Sequence, residues 1–201
     1  MIPGEITLLL AIKLHNGQMR WNDQEPYVSH PIRIANAAFN ITKDIQIYQA
    51  ALLHDVVEDT DTTLNDLRHK YNCSPRVVRM VELLTKRDKE SREDYIQRLI
   101  EGNDPGVALI KILDSIDNAF INKSMEEYML ANNRDPIKQH EKYMNTAKRI
   151  YSEFTWGHTT KFHLDNLFEY MEIHRKLGFK EITYDTTLDL VRAGVNDTDC
   201  K

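Results

Sequence analysis

QAALLHDVVEDT, residues 49–60, places two pairs of ionisable side chains in an otherwise apolar segment. His54 and Asp55 form the first pair, and Glu58 and Asp59 lie four positions beyond them, one helical turn along on the same face. An apolar helix of this kind is expected to be largely buried, and buried charges need partners. Because carboxylates at such short range repel one another, we expect a divalent cation to lie among them.

The composition limits the class of protein. A chain of 201 residues with 41% hydrophobic residues fits one main domain that needs no disulfide to stay folded. The net charge of -5 argues against a dedicated binder of nucleic acid or of anionic membranes. No apolar stretch is long enough to span a bilayer, and two distant cysteines predict a reduced, cytoplasmic protein. With eight histidines and no paired cysteines, a metal site must be built from His, Asp and Glu.

Helix signals recur along the chain and predict an all-α fold of about ten helices. Proline in the first helical turn predicts four helix starts: Pro31, Ser74-Pro75, Asp104-Pro105 and Asp135-Pro136. Two pairs have the spacing of a capping box: Ser91 with Asp94, and Ser124 with Glu127. Three glycines are predicted to end helices in the left-handed conformation: Gly102, Gly178 and Gly194. We expect residues 1–155 to form the core and residues 156–201 a helical C-terminal extension packed on it.

Four motifs, in order, resemble the hydrolase domain of the RelA/SpoT family of (p)ppGpp enzymes. HDVVEDT at 54–60 is similar to the family's signature, and HNGQMR at 15–20 with EPYVSHP at 25–31 resembles its HxGQxRKxGxPYIxHP element. LTK at 84–86 and IKILDSIDN at 110–118 stand where the family has VTK and IKLADRLHN. The length resembles that of a stand-alone small alarmone hydrolase. The resemblance implies an HD-domain phosphohydrolase fold around a metal-binding cleft.

The resemblance also implies roles for individual residues. One metal ion, usually Mn2+, would be held by four residues distributed over separate predicted helices: His30, His54, Asp55 and Asp114. Glu58 and Asp59 would position or activate the attacking water. The substrate would contact six side chains: Arg20, Trp21, Lys86, Lys111, Asn118 and Tyr143. Of these, Arg20 would pack against the guanine base, for which its flat guanidinium is suited.

Three positions depart from the family pattern. Trp21, Ser115 and Asp117 stand where the family has lysine, arginine and histidine. These changes remove positive charge from the pocket. Neutralisation of substrate phosphates is then left to the metal and four side chains: Arg20, Lys86, Arg87 and Lys111. The resemblance therefore does not predict the affinity for (p)ppGpp or the phosphate pattern that the pocket prefers.

The expected activity is removal of the 3′-pyrophosphate of (p)ppGpp, which yields GDP or GTP and pyrophosphate. Two alternatives stay open: an HD-domain phosphatase acting on the 2′-phosphate of NADPH or on a nucleoside monophosphate, and a non-catalytic alarmone-binding module. The expected partner is a guanine nucleotide alarmone, with no nucleic acid or membrane. The segment after Trp156 could cap the fold, cover the cleft or mediate self-association, so a homo-oligomer also stays open.

Overall fold

A computed structural model describes residues 3–20 and 25–176 of the chain. These residues form eleven α-helices and one short β-hairpin, which confirms the predicted all-α fold. The helices are α1 (Pro3–Leu14), α2 (Ser29–Thr42), α3 (Ile45–Leu53), α4 (Val56–Asp59), α5 (Leu64–His69), α6 (Pro75–Leu84), α7 (Arg92–Glu101), α8 (Pro105–Ala119), α9 (Lys123–Ala131), α10 (Pro136–Glu153) and α11 (His158–Lys176). Strands β1 (Met19–Arg20) and β2 (Glu25–Pro26) pair antiparallel. None of the helices described has the length and apolar character needed to cross a membrane.

Most of the predicted helix starts are confirmed by capping hydrogen bonds. The side chains of Ser74, Asp104 and Asp135 accept backbone N–H bonds at the starts of α6, α8 and α10, each with a proline in the first turn. Ser91 likewise accepts the Asp94 N–H and begins α7. These caps satisfy backbone donors that have no partner within their helices.

Two predicted boundaries are wrong. Asn122, not Ser124, caps α9 by accepting the Met125 N–H. The helix begins at Lys123, so Asn122 is the residue immediately before it and Ser124 already lies in the first turn. Gly102 ends α7 in the right-handed conformation, and the following Asn103 takes the left-handed one with φ of 48°. Asparagine tolerates this conformation better than most residues, so glycine is not required. Gly178 and Gly194 lie outside the described residues.

The segment 49–59 is not one continuous helix as predicted. Helix α3 ends at Leu53 and α4 begins at Val56, so His54 and Asp55 occupy the joint between them. The joint is held by the His54 ring, whose Nδ1 donates to the Ala51 carbonyl at 2.7 Å. His30, in turn, lies within the first turn of α2 rather than before it.

Helices α3 and α8 form the centre of the core. Ala50, Ala51, Leu52 and Leu53 at the end of α3 are fully buried, and α8 is buried along most of its length. Helix α2 packs against both. Helix α11 contributes four side chains to the same core: Leu164, Leu167, Tyr170 and Met171. The joint after α3, the first turn of α2 and the last turns of α8 therefore meet inside one packed body, while the boundary near residue 155 stays a prediction.

Candidate metal centre

The structure brings the four predicted metal ligands together. Ligand atoms of His30, His54 and Asp55 all lie within 4.8 Å of one another. Asp114 Oδ1 lies 3.1 Å from His30 Nε2 and 3.8 Å from His54 Nε2. Helix α2 supplies His30, the α3–α4 joint supplies His54 and Asp55, and α8 supplies Asp114. Two imidazoles and two carboxylates thus face one point.

The tautomer of His54 leaves its second ring nitrogen suited to a metal. Because the Ala51 carbonyl can only accept, His54 Nδ1 carries the proton and Nε2 keeps its lone pair in the neutral ring. Within residues 3–20 and 25–176, the buried Nε2 atom has no hydrogen-bond partner. An orphaned, buried imidazole nitrogen beside two carboxylates fits a transition-metal ligand.

The cleft favours a positive charge at this point. Burial lowers the pKa of His54, but the charges of Asp55 and Asp114 outweigh it and raise that pKa well above its usual value. Burial raises the pKa of Asp55, whereas the neighbouring His54 and His30 outweigh burial and lower it. With both imidazoles neutral, the two ionised carboxylates leave negative charge at this point, which attracts a divalent cation.

Two further side chains hold the ligand carboxylates. The Tyr27 hydroxyl donates to Asp55 Oδ2 at 2.6 Å, and Lys111 Nζ donates to Asp114 Oδ2 at 2.7 Å. Burial lowers the pKa of Lys111, but Asp114 outweighs it and raises that pKa above its usual value, so the ammonium group is retained. Lys111 is therefore paired with a ligand carboxylate, whereas from the sequence we expect it to neutralise substrate phosphates.

The two predicted catalytic carboxylates lie on α4 at the exposed side of the cluster. Glu58 Oε1 accepts the backbone N–H of Lys86 at 2.7 Å. The LTK motif at 84–86 therefore contacts Glu58 through its main chain. Desolvation in the cleft and the charges of Asp55 and Asp59 raise the pKa of Glu58, which increases its affinity for a proton. The backbone carbonyl of Asp59 accepts from Gln18, which ties α4 to the segment before β1.

The predicted substrate residues are placed unevenly. Arg20 is buried, with its guanidinium donating to Asp117 at 2.8 Å and to Asn118 at 2.9 Å. Asn118 also donates to Asp114 Oδ1 at 2.6 Å, so it contacts a ligand directly. Lys86 has an exposed side chain, and Trp21 lies outside the described residues. Tyr143 is half-buried on α10, and its ring packs against the guanidinium of Arg92.

Besides Tyr27, two residues of the site, Asp117 and Arg33, were not nominated for a role from the sequence. Asp117 accepts from His30 Nδ1 at 2.6 Å, and Arg33 donates to the same carboxylate from Nε at 2.8 Å. Burial raises the pKa of Asp117, but the charges of Arg33 and His30 outweigh it and hold that pKa well below its usual range. The signal for both was helical spacing, because Arg33 follows His30 and Asp117 follows Asp114 by three positions.

A cavity of about 880 Å³ lies apart from this cluster. It is bordered by Arg76 and Arg79 of α6 and by Trp156 before α11. None of the residues nominated as ligands, catalytic groups or substrate contacts lines it. The cavity is therefore separate from the cluster of ligand candidates.

Comparison with known proteins agrees with this geometry. An HD-domain family model matches residues 7–122, which includes every ligand candidate. Over 112 residues, 53% of this chain and 16% of the relative, the chain is 35% identical to a guanosine-3′,5′-bis(diphosphate) 3′-pyrophosphohydrolase of Aquifex aeolicus. It is 34% identical over 119 residues, 55% of the chain and 16% of the relative, to the bifunctional (p)ppGpp synthase/hydrolase SpoT of Escherichia coli. It is 40% identical over 111 residues, 50% of the chain and 59% of the relative, to the mouse pyrophosphohydrolase MESH1.

A solved structure of a metazoan ortholog of SpoT, which hydrolyzes ppGpp, is similar in fold. It aligns with a TM-score of 0.63 and 24% identity, over 89% of this chain and 97% of that one. Identity this low supports the arrangement of helices alone. The matched region, with its ligand candidates gathered on α2, α3–α4 and α8, shows that the chain belongs to the HD-domain family.

Proposed function

We propose that this chain is a metal-dependent hydrolase that removes the 3′-pyrophosphate of (p)ppGpp. The observation that carries the proposal is the gathering of His30, His54, Asp55 and Asp114 at one point, with the lone pair of His54 Nε2 unused among the described residues. Support also comes from the relatives, several of which are named guanosine-3′,5′-bis(diphosphate) 3′-pyrophosphohydrolases. The chain covers only 16% of the bacterial relatives cited and 59% of the mouse one.

The ligand set suits an ion of intermediate hardness, and we propose Mn2+. When bound, such an ion supplies Lewis acidity towards a phosphate oxygen and towards water. His30, His54, Asp55 and Asp114 would hold it. Tyr27 and Lys111 would keep the two ligand carboxylates oriented through their hydrogen bonds.

The residues of α4 would handle the attacking water and its proton. The Lys86 N–H fixes Glu58 Oε1, which leaves Oε2 to accept a proton as water attacks phosphorus in line. The raised pKa of Glu58 suits a general base, because it retains a proton more readily than an ordinary carboxylate. Asp59, beside it on α4, would orient the same water.

Arg20 and Asn118 would receive the nucleoside. Contacts to Asp117 and Asn118 occupy N–H edges of the Arg20 guanidinium, whereas stacking uses its flat face, so base stacking is compatible with them. We propose a guanine nucleotide as the small-molecule substrate, a choice that the names of the relatives support. The carboxylate of Asp117, where the family has histidine, favours one second candidate, a related phosphatase acting on a nucleotide with a different phosphate pattern.

A substrate panel separates these candidates. Purified protein with Mn2+ would be incubated with ppGpp, pppGpp, NADPH and nucleoside monophosphates, and the released phosphate species identified. Pyrophosphate from ppGpp is expected, whereas orthophosphate from NADPH alone would support the second candidate and no turnover would contradict both.

Asp55→Asn should lose activity and metal together. Asp44→Asn is the matched control, since Asp44 caps α3 and asparagine caps equally well.

A further inference from the structure

One buried carboxylate connects the cluster of ligand candidates to the first strand. Asp117 Oδ2 accepts from His30 Nδ1 at 2.6 Å, Arg20 at 2.8 Å and Arg33 at 3.0 Å, and its Oδ1 accepts from Arg33 Nε at 2.8 Å. Its side chain is 3% exposed. Four donors from α2 and β1 therefore meet one side chain of α8.

This contact decides which nitrogen of His30 faces the cluster. Two guanidinium groups surround Asp117, so the carboxylate is ionised and can only accept. The proton between Asp117 and His30 consequently belongs to Nδ1, and in the neutral ring, the form that can bind a metal, Nε2 keeps its lone pair. That Nε2 atom lies 3.1 Å from Asp114 Oδ1 and 3.6 Å from Asp55 Oδ2, among the other ligand atoms.

His30 and His54 obtain the same tautomer in different ways. His54 donates to a backbone carbonyl, which any sequence supplies, whereas His30 depends on a side chain from another helix. A histidine at position 117, as in the family pattern, could not accept four N–H donors, because a neutral imidazole has a single acceptor nitrogen. A carboxylate, with two acceptor oxygens, accepts all four.

We propose that Asp117 is a positioning residue that holds the metal-facing tautomer of His30 and, through the same carboxylate, the guanidinium of Arg20. The assignment of His30 to a metal and of Arg20 to a base rests on the proposed function. A carboxylate behind a ligand histidine fixes the ring and raises its basicity, and loss of such a partner weakens metal binding by about 10- to 100-fold.

The first test measures Mn2+ binding to metal-free protein without any nucleotide. Asp117→Asn keeps the shape, but its amide must turn a donor towards groups that are themselves donors. We expect the Kd for Mn2+ to rise by about 10- to 100-fold. The matched control is Glu90→Gln, which alters a carboxylate paired with Arg98 and should leave that Kd unchanged. An unchanged Kd in Asp117→Asn would overturn the proposal.

A second variant separates the His30 contact from the general loss of charge. Arg33→Met removes two of the donors to Asp117 but leaves the bond from His30 in place. Its Kd for Mn2+ should stay close to that of the unchanged protein. A loss as large as in Asp117→Asn would assign the effect to the charge network and overturn the role given to the His30 bond.

A third measurement needs no variant at position 117. In the unchanged protein loaded with diamagnetic Zn2+, long-range ¹H–¹⁵N spectra should place the His30 ring proton on Nδ1, and a proton on Nε2 would overturn the proposal.

The role given to Arg20 is tested with the Asp117→Asn variant. Its KM for ppGpp should rise at saturating Mn2+, and an unchanged KM would remove Arg20 from the proposal. The metal and tautomer measurements contain no nucleotide, so they remain decisive even where ppGpp is not hydrolysed and the proposed function fails.

Discussion

Ser115 lies fully buried on α8, immediately after the ligand candidate Asp114. Its hydroxyl has no hydrogen-bond partner in the part of the chain that the structure describes. An unsatisfied buried hydroxyl is destabilising, and alanine is also the better helix former. The serine that stands where the family pattern has arginine is therefore a small buried polar group without a partner among the described residues.

We expect Ser115→Ala to raise the free energy of unfolding by about 1 kcal/mol. Urea unfolding followed by circular dichroism measures the difference. The control is Ser152→Ala on α10, where the exposed hydroxyl donates to the Arg149 carbonyl and the gain should be smaller. A less stable Ser115→Ala protein would show that the hydroxyl is satisfied in solution.

Glu58 allows binding and catalysis to be separated at a single side chain. Glu58→Gln keeps an oxygen for the Lys86 N–H but removes the base, so kcat should fall by about 100-fold or more while the Kd for Mn2+ is retained. Steady-state kinetics with ppGpp and a metal titration give the two values. Glu82→Gln, an exposed position on α6, serves as the control. Unchanged kcat would remove Glu58 from the mechanism.

Helix starts were predictable because each depends on one or two neighbouring residues. Ser74, Asp104 and Asp135 cap their helices with side-chain oxygens, an interaction that is complete within four residues. Where two capping residues compete, as Asn122 and Ser124 do, local rules do not decide between them. The break after Leu53 was missed since apolar spacing continues through it and only the packed structure places His54 in the joint.

One ion pair stabilises the approach to α7. Arg98 donates from Nε and a terminal nitrogen to the two oxygens of Glu90, at 2.7 and 2.9 Å. The Arg98 hydrogen bonds lower the pKa of Glu90 to about 2 from its ordinary 4.5. A depressed carboxylate pKa contributes stability above the unfolded value, and this contribution is lost as the pH falls from 4.5 towards 2.

Arg98→Met should therefore reduce the free energy of unfolding at pH 7 by on the order of 1 kcal/mol. The difference from the unchanged protein should shrink as the pH is lowered through the range from 4.5 to 2. Urea titrations at a series of pH values follow it. Arg149→Met, whose partner Glu93 has a 77% exposed side chain, is the control and should show a much smaller effect. A difference that grows in acid would contradict the assignment.

At the scale of the whole molecule, the sequence sufficed for the fold class and for which ligand candidates meet. The helical period and the family resemblance pointed to separate helices carrying His30, His54 and Asp114, and the structure brings them together. What the sequence could not supply were the partners of these groups. The contacts of Asp117 with Arg20 and His30 join residues 97 and 87 positions apart, and no local pattern encodes them.

Metal binding should stabilise the whole fold, since its ligands come from three different parts of the chain. Mn2+ at 100 times its Kd is expected to add about 2.7 kcal/mol to the free energy of unfolding. Thermal unfolding with Mn2+ and after chelation should differ accordingly, with the higher Tm in Mn2+. Asp55→Asn should lose this response and Asp44→Asn should keep it. Equal Tm values with and without Mn2+ in the unchanged protein would contradict a specific site.

The long-range contacts of the cluster also order events in folding. His30 meets Asp117 across 87 residues and Arg20 meets Asn118 across 98, so neither contact exists until the chain has closed a loop of that length. Contacts this distant in sequence form slowly compared with the helices they join. The four ligand candidates can therefore come together only once α8 has been synthesised and has packed against α2.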